Sequence, residues 1–347
     1  MFKIGNVELG SHCKPFIIAE LSANHNGSLD KAKQLIAAAA SAGVSAVKIQ
    51  TYTADSMTLD TDMPGFKIEG GLWDGYSLYD LYQEASTPYE WHQALFDYAA
   101  QLGVILFSSP FDENAVDFLD SLYAPAFKVA SFEMVDLPLI RYIASKKKPI
   151  LISTGMSNES EIGEALEVAR QSGARDILLF HCVSGYPTPL EESKLSNIQF
   201  LKKHFNVEVG LSDHTLGHSA AIASIALGAV AIEKHFTLDR NDKGPDSEFS
   251  LEPVEFKALV DESFGIWTAL QYSHELKRSV VEKQNKQFRR SIYFVEDLAE
   301  GAEITKTAIR RIRPGYGLAP KYFDELIGRK VSKAVKRGEP VSWDVLK

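Results

Sequence analysis

Two lysines occupy positions at which a charged side chain needs an explanation. Lys48 lies in the segment AVKIQ and Lys128 in AFKVA, both of which are otherwise mostly apolar. Burying an ammonium group without a partner is costly, so each lysine is expected to face either a carboxylate or an anionic ligand. A structural ion pair with Glu20 or Glu133 is one interpretation. A site for a phosphate or carboxylate group is the functional one.

Small hydroxyl side chains follow several neighbouring apolar segments. Ser131, Ser153 and Ser212 each come at or just after the end of such a segment. Hydroxyl donors combined with two lysines suit a small, highly charged anion, because charge-assisted hydrogen bonds are the strong ones. The pattern therefore predicts an anion site built from these serines, Lys48 and Lys128.

Two histidines, His214 and His235, follow consecutive apolar segments near the end of the same region. Two imidazoles on one edge can bind a divalent metal, with water and substrate in the remaining positions. Glu20 and Glu233 are candidates for proton transfer or for orienting a substrate hydroxyl, and pairing of Glu20 with a lysine is the alternative. His181 is expected to be a hydrogen-bonding residue. Four further histidines are expected on loops or helix surfaces: His25, His92, His204 and His218.

The elements that carry these residues alternate between short β-rich segments and helix-like segments. The predicted strands are residues 16–20, 46–50, 104–108, 126–130, 149–153, 177–181, 207–211 and 231–235. Alternating strands and helices indicate parallel βαβ units, and eight such units close into a (β/α)₈ TIM barrel with its active site at the carboxyl ends of the strands. An open doubly wound sheet is the alternative. It is disfavoured because AELSANHNGS, which contains the end of the first strand, has no GxGxxG motif.

Two further regions stand apart from this alternation. Residues 51–87 form a long connection rich in Gly, Trp and Tyr, which is typical of a functional loop. Near Lys286 the sequence pattern changes to β-rich segments with short turns. This change predicts a catalytic barrel domain over 1–285 and a small β-rich domain over 286–347.

The composition is that of an ordinary globular protein of 347 residues with a formal net charge of −9. Residues 288–347 hold 13 basic and 8 acidic side chains, and the preceding 287 hold 24 and 38, so an acidic body precedes a basic tail. An acidic body argues against nucleic-acid binding. The absence of a long apolar run argues against a membrane span, and the two cysteines, Cys13 and Cys182, are expected to stay reduced in a cytoplasmic protein.

The chain resembles the sialic acid synthase family from end to end. The segments that carry the resemblance occur in order, and their joint occurrence is specific: IIAELSANHNGS, AVKIQTYT, SSPFD, FKVASFE, STGMS, HCVSGYPTP, VGLSDHTLG, AIEKHFTLD and RRSIYFVEDLAEGAEI. The C-terminal part resembles the antifreeze-like (SAF) domain that ends these synthases, which reaches the barrel mouth of the other subunit in a domain-swapped homodimer.

This resemblance implies a transferase that condenses phosphoenolpyruvate with an open-chain amino sugar, using a divalent cation, Mn²⁺ or Mg²⁺. The enol carbon attacks the sugar aldehyde, water adds at C2, and phosphate leaves by C–O cleavage. The implied partners are these two substrates, with no nucleic acid and no membrane.

Carried over position by position, the resemblance assigns roles to the residues already singled out and to several more. The implied contacts to phosphoenolpyruvate are Lys48, Lys128, Ser109, Ser131, Ser153, Ser212 and Ser184, the last of which stands where many members have asparagine. The implied metal ligands are His214 and His235. The residues implied near the reacting carbons or the sugar are Glu20, Gln50, Glu133, Tyr186, Glu233 and Asp246, with Arg313 donated by the small domain.

Within the family, one branch fits best. SANHNGS, KIQTYTADSMTLD, GGLWDGYSLYDLYQEASTPYEWH and DSEFSLEP look like the pseudaminic acid synthases. The implied sugar is 2,4-diacetamido-2,4,6-trideoxy-β-L-altrose, against which Trp73 and the tyrosines of residues 70–82 are expected to pack. N-acetylmannosamine or the legionaminic precursor is the alternative sugar. A non-catalytic carbohydrate-binding protein and a metal-dependent pyruvate aldolase are the rival classes.

Overall fold

The structure, a computed structural model, describes residues 2–70, 73–242, 244–271 and 279–347. It divides into two compact units, Met1–Tyr272 and Ser273–Lys347. The domain boundary near Lys286 stays a prediction. None of the helices within the described ranges is long and apolar enough to span a membrane.

The first unit is a closed barrel of eight parallel strands that follows a short antiparallel hairpin. The hairpin strands are β1 (Phe2–Ile4) and β2 (Val7–Leu9). The barrel strands are β3 (Phe16–Glu20), β4 (Ala46–Thr51), β5 (Ile105–Pro110), β6 (Phe127–Val129), β7 (Ile150–Ser153), β8 (Ile177–Cys182), β9 (Glu208–Asp213) and β10 (Ala231–His235). Each barrel strand pairs with the next, and β10 pairs with β3. The predicted (β/α)₈ barrel is confirmed.

Helices connect the strands and cover the outside of the barrel. They are α1 (Leu29–Ala42), α2 (Ala54–Met57), α3 (Leu78–Ala85), α4 (Tyr89–Gln101), α5 (Glu113–Ser121), α6 (Leu137–Ser145), α7 (Glu159–Gln171), α8 (Asn197–Phe205), α9 (Ser219–Ala226) and α10 (Pro253–Leu270). Their limits follow local chemistry. In α1 the Ser28 hydroxyl caps the first turn by accepting from the Lys31 amide, and Gly43 ends the helix at φ +87°, which glycine adopts without strain.

The amino-terminal half of the barrel interior is filled by apolar side chains. Phe16, Phe107 and Phe180 pack there together with Ile4 of the hairpin, and all are buried. Gly210 on β9 makes room for this layer, since a Cβ at that position would lie 2.7 Å from a Phe180 ring carbon. A filled lower interior leaves the carboxyl ends of the strands as the place for polar side chains.

The long connection between β4 and α4 contains α2, α3 and a hairpin-like turn. The Ile68 amide donates to the Tyr76 carbonyl at 2.9 Å, and the Leu78 amide donates to the Phe66 carbonyl at 2.9 Å. Gly71 and Leu72, which belong to the predicted loop, lie outside the described residues.

The second unit has a small core of its own. Its elements are α11 (Val280–Asn285), β11 (Ser291–Phe294), β12 (Ile309–Ile312) and α12 (Phe323–Leu326), and β11 pairs antiparallel with β12. The buried core consists of Ile292, Phe294, Ile304, Ile309, Leu326, Val331, Val335, Val341 and Val345.

Candidate active site

A cavity of about 460 Å³ opens among the carboxyl ends of the barrel strands. Almost all predicted site residues of the first unit line it: Glu20, Lys48, Gln50, Lys128, Ser131, Glu133, Ser153, Ser184, Tyr186, Ser212, His214, Glu233, His235 and Asp246. Ser109 does not line the cavity, but its hydroxyl lies 3.4 Å from Lys48 Nζ and supports that side chain. Arg313 lies in the second unit, directly after β12, and its role stays a prediction.

Lys48 is held between two buried carboxylates from two different strands. Its Nζ lies 3.3 Å from Glu20 Oε2 and 3.2 Å from Glu233 Oε1. Gln50 Nε2 donates to Glu20 Oε1 at 3.1 Å, and the Ser212 hydroxyl donates to Glu233 Oε1 at 3.1 Å. The ion pair between Lys48 and Glu20 that the sequence left open is therefore present, and Glu233 joins it.

The two carboxyl groups differ in their proton affinity. Burial raises the pKa of Glu20 to about 7, against the opposing pull of Lys48. Burial also opposes ionisation of Glu233, but Lys48 and Lys128 together hold the pKa of Glu233 below its ordinary value. When the pKa values of two neighbouring carboxyl groups differ in this way, one group can exchange a proton near neutral pH and the other remains ionised.

Lys128 has no carboxylate within 4.0 Å of its Nζ among the residues that the structure describes. It is only 1% exposed, and its Nζ donates to the Ser153 hydroxyl and, at 3.0 Å, to the Val129 carbonyl. Burial lowers the pKa of Lys128 to about 8. A buried cation supported only by neutral oxygens is well suited to accept an anion from the cavity. We call Lys48, Lys128, Ser131, Ser153 and Ser212 the anion floor.

Gly155 is a site residue that the sequence reasoning missed. Its amide donates to the Ser131 hydroxyl at 3.2 Å. A Cβ there would lie 2.2 Å from Ser184 Oγ and 2.6 Å from Ser131 Oγ, so only glycine lets the two hydroxyls and the backbone amide converge. The available signal was a glycine just after Ser153 within STGMS, at the end of a barrel strand.

His214 and His235 face the cavity with their ring centroids 5.4 Å apart. His214 Nδ1 lies 3.0 Å from the Val183 carbonyl, which can only accept, so Nδ1 carries the proton and Nε2 keeps a free lone pair. His235 Nδ1 is buried and has no hydrogen-bond partner among the described residues. Two imidazoles with such unused nitrogens would, in their neutral forms, fit a divalent cation.

The other histidines divide between surface and interior. His204 and His218 are partly exposed, as expected. His25 lies in a loop, as expected, and is buried there. His92, in α4, was expected on a helix surface, and this prediction was wrong: it is buried, and its Nε2 lies 2.8 Å from the Thr51 hydroxyl. The spacing of apolar residues in α4 did not reveal that His92 faces inward. His181 Nε2 lies 2.8 Å from the Ser193 carbonyl, in agreement with a hydrogen-bonding role.

One side of the cavity is apolar, in contrast to the anion floor. It comes from the connection between β4 and α4, and we call it the apolar wall: Met57, Ile68, Leu78, Leu81 and Ala85. Trp73 adjoins the wall, and its indole Nε1 donates to the Pro245 carbonyl at 3.1 Å across the cavity mouth. The Trp73 ring also lies 5.8 Å from the ring of Tyr186.

Two of the four tyrosines in the long connection line the cavity, and two do not. Tyr52 and Tyr82 face it, with their ring centroids 5.9 Å apart. Tyr76 lines a neighbouring cavity, and the Tyr79 hydroxyl donates to Asp55 at 3.3 Å. Of the aromatic residues predicted within 70–82, Trp73 and Tyr82 therefore line the cavity, and Tyr52 joins them from outside that range.

Comparison with known families assigns this architecture. Residues 35–275 match the NeuB family and residues 289–347 match the SAF domain. The chain belongs to the NeuB family. The expected resemblance to sialic acid synthases, including the C-terminal SAF domain, is confirmed.

Individual relatives cover nearly the whole chain. It is 45% identical to a pseudaminic acid synthase of Campylobacter jejuni over 97% of each protein, and 42% identical to that of Helicobacter pylori over 95% of this chain and 97% of the relative. A crystal structure of N-acetylneuraminic acid synthetase from Leptospira borgpetersenii in complex with citrate superposes with a TM-score of 0.73 and 29% identity. It covers 82% of this chain and 94% of that one.

Proposed function

We propose that this NeuB-family protein is a pseudaminic acid synthase. It condenses phosphoenolpyruvate with 2,4-diacetamido-2,4,6-trideoxy-β-L-altrose and water, and it releases pseudaminic acid and phosphate. The observation that carries the proposal is Lys128, a buried ammonium without a carboxylate partner among the described residues, at the floor of a cavity. The high identity to pseudaminic acid synthases supports the choice of sugar.

Phosphoenolpyruvate is assigned to the anion floor. Lys128 supplies a positive charge that no described carboxylate neutralises, and Ser153 already contacts its Nζ. Ser131 and Ser184 add hydroxyl donors beside it, and the Gly155 amide holds the Ser131 hydroxyl in place by donating to it. Fixed donors in a buried site bind an anion strongly because they need no reorganisation.

The carboxyl groups of Glu20 and Glu233 have different roles in the reaction. The enol carbon forms a bond to the aldehyde carbon, whose oxygen takes up a proton, and Glu20 is the group that we assign to this proton transfer. Glu233, ionised beside Lys48, compensates the positive charge that develops at C2 before water adds. As water adds at C2, one of its protons returns to the Glu20 carboxylate. The tetrahedral intermediate then loses phosphate as its C2–O bond breaks, and the remaining proton of the new hydroxyl leaves with the phosphate, which gives the C2 ketone. Glu133, Gln50, Tyr186 and Asp246 are assigned to the sugar.

His214 and His235 are assigned to a divalent cation, Mn²⁺ or Mg²⁺. Their unused ring nitrogens fit such an ion, as described above. When bound, the cation would supply Lewis-acid activation of the aldehyde oxygen. Two imidazoles leave most positions of an octahedral ion to water and substrate oxygens.

The apolar wall is assigned to the apolar groups of the sugar. The trideoxy sugar carries a methyl group at C6 and two acetamido methyl groups, and it lacks the C4 and C6 hydroxyl groups that N-acetylmannosamine has. Leu78, Leu81 and Ile68 offer no such partners. Burial of a hydroxyl against these side chains would be costly, which disfavours N-acetylmannosamine.

Several wider expectations are part of the same proposal. The domains are 1–285 and 286–347, the protein is cytoplasmic with Cys13 and Cys182 reduced, and it acts as a domain-swapped homodimer. Both cysteines are free thiols in the structure. In this assembly Arg313 contacts the acyl group of the sugar.

Phosphate release from phosphoenolpyruvate tests the proposed function. The assay contains Mn²⁺ and offers the trideoxy altrose sugar and N-acetylmannosamine in parallel. We expect release with the altrose sugar alone. Release only with N-acetylmannosamine would keep the reaction and overturn the choice of sugar, and no release with either would overturn the condensation.

Replacement of Arg313 tests the contribution of the second unit. We expect Arg313→Ala to raise KM for the sugar about tenfold or more while KM for phosphoenolpyruvate stays within about twofold, since a charged hydrogen bond contributes about 1.5–3 kcal/mol. Arg310→Ala, in the neighbouring strand β12, is the matched control. Equal effects of Arg313→Ala on both substrates would contradict the assigned role.

A further inference from the structure

The ends of β9 and β10 are joined by a ring of buried polar contacts that does not line the cavity. Lys234 Nζ donates to Asp213 Oδ2 at 2.7 Å and to the Thr215 carbonyl at 2.7 Å. The Thr215 amide donates to Asp213 Oδ1 at 2.9 Å, which closes the ring. Lys234 is 1% and Asp213 3% exposed. We call Asp213, Thr215 and Lys234 the strand-end ring.

Each member of the strand-end ring is a chain neighbour of a histidine assigned to the metal. His214 lies between Asp213 and Thr215, and His235 follows Lys234. Lys234 is also the register partner of Asp213 in the parallel ladder. Because successive side chains of a strand point to opposite faces, the ring lies on one face and both imidazoles project from the other, into the cavity.

Stability alone is a poor explanation for this ring. A buried ion pair loses the hydration of two charges, and replacement by apolar side chains of similar volume is often neutral or stabilising. By contrast, a charged ring with three hydrogen bonds can fix the geometry of the two strand ends.

The two imidazoles differ in how else they are held. The backbone carbonyls of both residues accept a hydrogen bond at 2.9 Å, His214 from the Thr188 amide and His235 from the Leu251 amide. The His214 ring has a further contact, from its Nδ1 to the Val183 carbonyl. The His235 ring has only packing contacts among the described residues, such as the Phe249 ring at 4.9 Å. The direction of His235 therefore depends on the backbone at Lys234.

We propose that the strand-end ring positions His214 and His235 so that both imidazoles meet one divalent cation. Asp213 and Lys234 are thus positioning residues: they act through their neighbours and touch neither substrate. This inference rests on the metal site of the proposed function.

Mn²⁺ binding to the full-length, metal-stripped protein tests the inference without any turnover. The titration follows the electron paramagnetic resonance signal of free Mn²⁺. The paired variant Asp213→Asn/Lys234→Met removes both charges together and leaves neither unpaired. We expect its Mn²⁺ affinity to fall about 10- to 100-fold, the range typical of residues that orient metal ligands.

A matched control lies at the opposite end of the same strand. Lys202 Nζ and Glu208 Oε2 form an ion pair at 2.8 Å where β9 begins. Lys202→Met/Glu208→Gln removes charge from the same strand and is expected to change Mn²⁺ affinity less than about twofold. Phosphoenolpyruvate affinity, measured by calorimetry without metal, is expected to change less than about threefold in both paired variants. Lys48, Lys128, Ser131 and Ser153 of the anion floor lie on or after other strands, and only Ser212 shares β9 with Asp213.

The outcomes separate the inference from the proposed function. Wild-type Mn²⁺ affinity in the ring variant, together with loss of binding in His235→Ala, would overturn the positioning role and leave the metal site intact. A parallel loss of Mn²⁺ and phosphoenolpyruvate affinity would indicate a general structural role and also overturn it. Absence of Mn²⁺ binding by the wild-type protein would overturn both. If the paired variant does not fold, Asp213→Asn carries the same expectation.

Discussion

The anion floor and the apolar wall meet in one cavity, but they are built in different ways. The floor stands on barrel strands, whose ladders fix Lys48 and Lys128 in register with their neighbours. The wall comes from a connection that contains a hairpin-like turn and a hydrogen bond from Trp73 to the Pro245 carbonyl. A rigid floor suits the substrate shared by a family, whereas a wall on a connection can change without disturbing the barrel.

The difference suggests that phosphoenolpyruvate and sugar recognition are separable. Variants of the floor are expected to affect phosphoenolpyruvate use, and variants of the wall are expected to affect sugar use. The four predictions below test that separation.

Removal of the Lys128 charge is expected to have the largest effect. Lys128→Met should lower kcat/KM for phosphoenolpyruvate about 10³-fold, because the anion loses its unneutralised partner. The same change should leave the thermal unfolding midpoint unchanged or higher, since a buried ammonium without a carboxylate partner gives way to an apolar side chain of similar length. Steady-state kinetics and calorimetric unfolding measure the two effects. A lowered midpoint would show that Lys128 serves the fold.

Gly155→Ala is expected to have the second largest effect. The added Cβ must displace the hydroxyl of Ser184 or Ser131, and overpacking of this kind costs about 1–3 kcal/mol, or about 5- to 150-fold in KM for phosphoenolpyruvate. Gly163→Ala in α7 is the control, because a Cβ there meets only a Phe205 ring carbon at 3.9 Å. An unchanged KM in Gly155→Ala would remove Gly155 from the site.

The pH dependence of phosphoenolpyruvate binding, at the anion floor, is expected to differ from that of sugar binding, at the apolar wall. Burial lowers the pKa of Lys128 to about 8, so its charge is present below that pH and is lost as pH rises through it. Above pH 8, the affinity for phosphoenolpyruvate, measured by calorimetry, should therefore fall about tenfold per pH unit, while the affinity for the sugar stays constant. Binding is measured because turnover also depends on the proton of Glu20. Lys48 is excluded as the cause because Glu20 and Glu233, opposing its burial, raise the pKa of Lys48. The fall should be absent in Lys128→Arg, and its persistence there would assign it to another group.

Loss of the Trp73 hydrogen bond is expected to give the smallest effect. Trp73→Phe keeps an aromatic ring but cannot donate to the Pro245 carbonyl. A net hydrogen bond contributes about 1 kcal/mol, so KM for the sugar should rise about fivefold while KM for phosphoenolpyruvate is unchanged. Tyr79→Phe, in the same connection but away from the cavity, is the control. A rise in KM for phosphoenolpyruvate would contradict the separation of floor and wall.

Much of the barrel could be predicted from local sequence signals. The predicted strands agree with β3 to β10 to within two residues at each end, and Ser28 and Gly43 limit α1 as expected of capping residues. The small hairpin β1–β2 was missed because two three-residue strands are too short to show alternation. The site residues could be predicted because parallel strands bring their carboxyl ends to one edge.

The sequence by itself determined which chemical groups reach that edge, because strand periodicity and chain order decide it. Only the tertiary structure decided how those groups pair. Lys48 pairs with Glu20 and Glu233, whereas Lys128 contacts no described carboxylate, although both lysines lie in similar apolar segments. Partner choice depends on distances of 3–4 Å between side chains from different strands, and these distances are set only when the barrel closes. The same closure brings Ser131, Ser184 and Gly155 together and turns His92 inward.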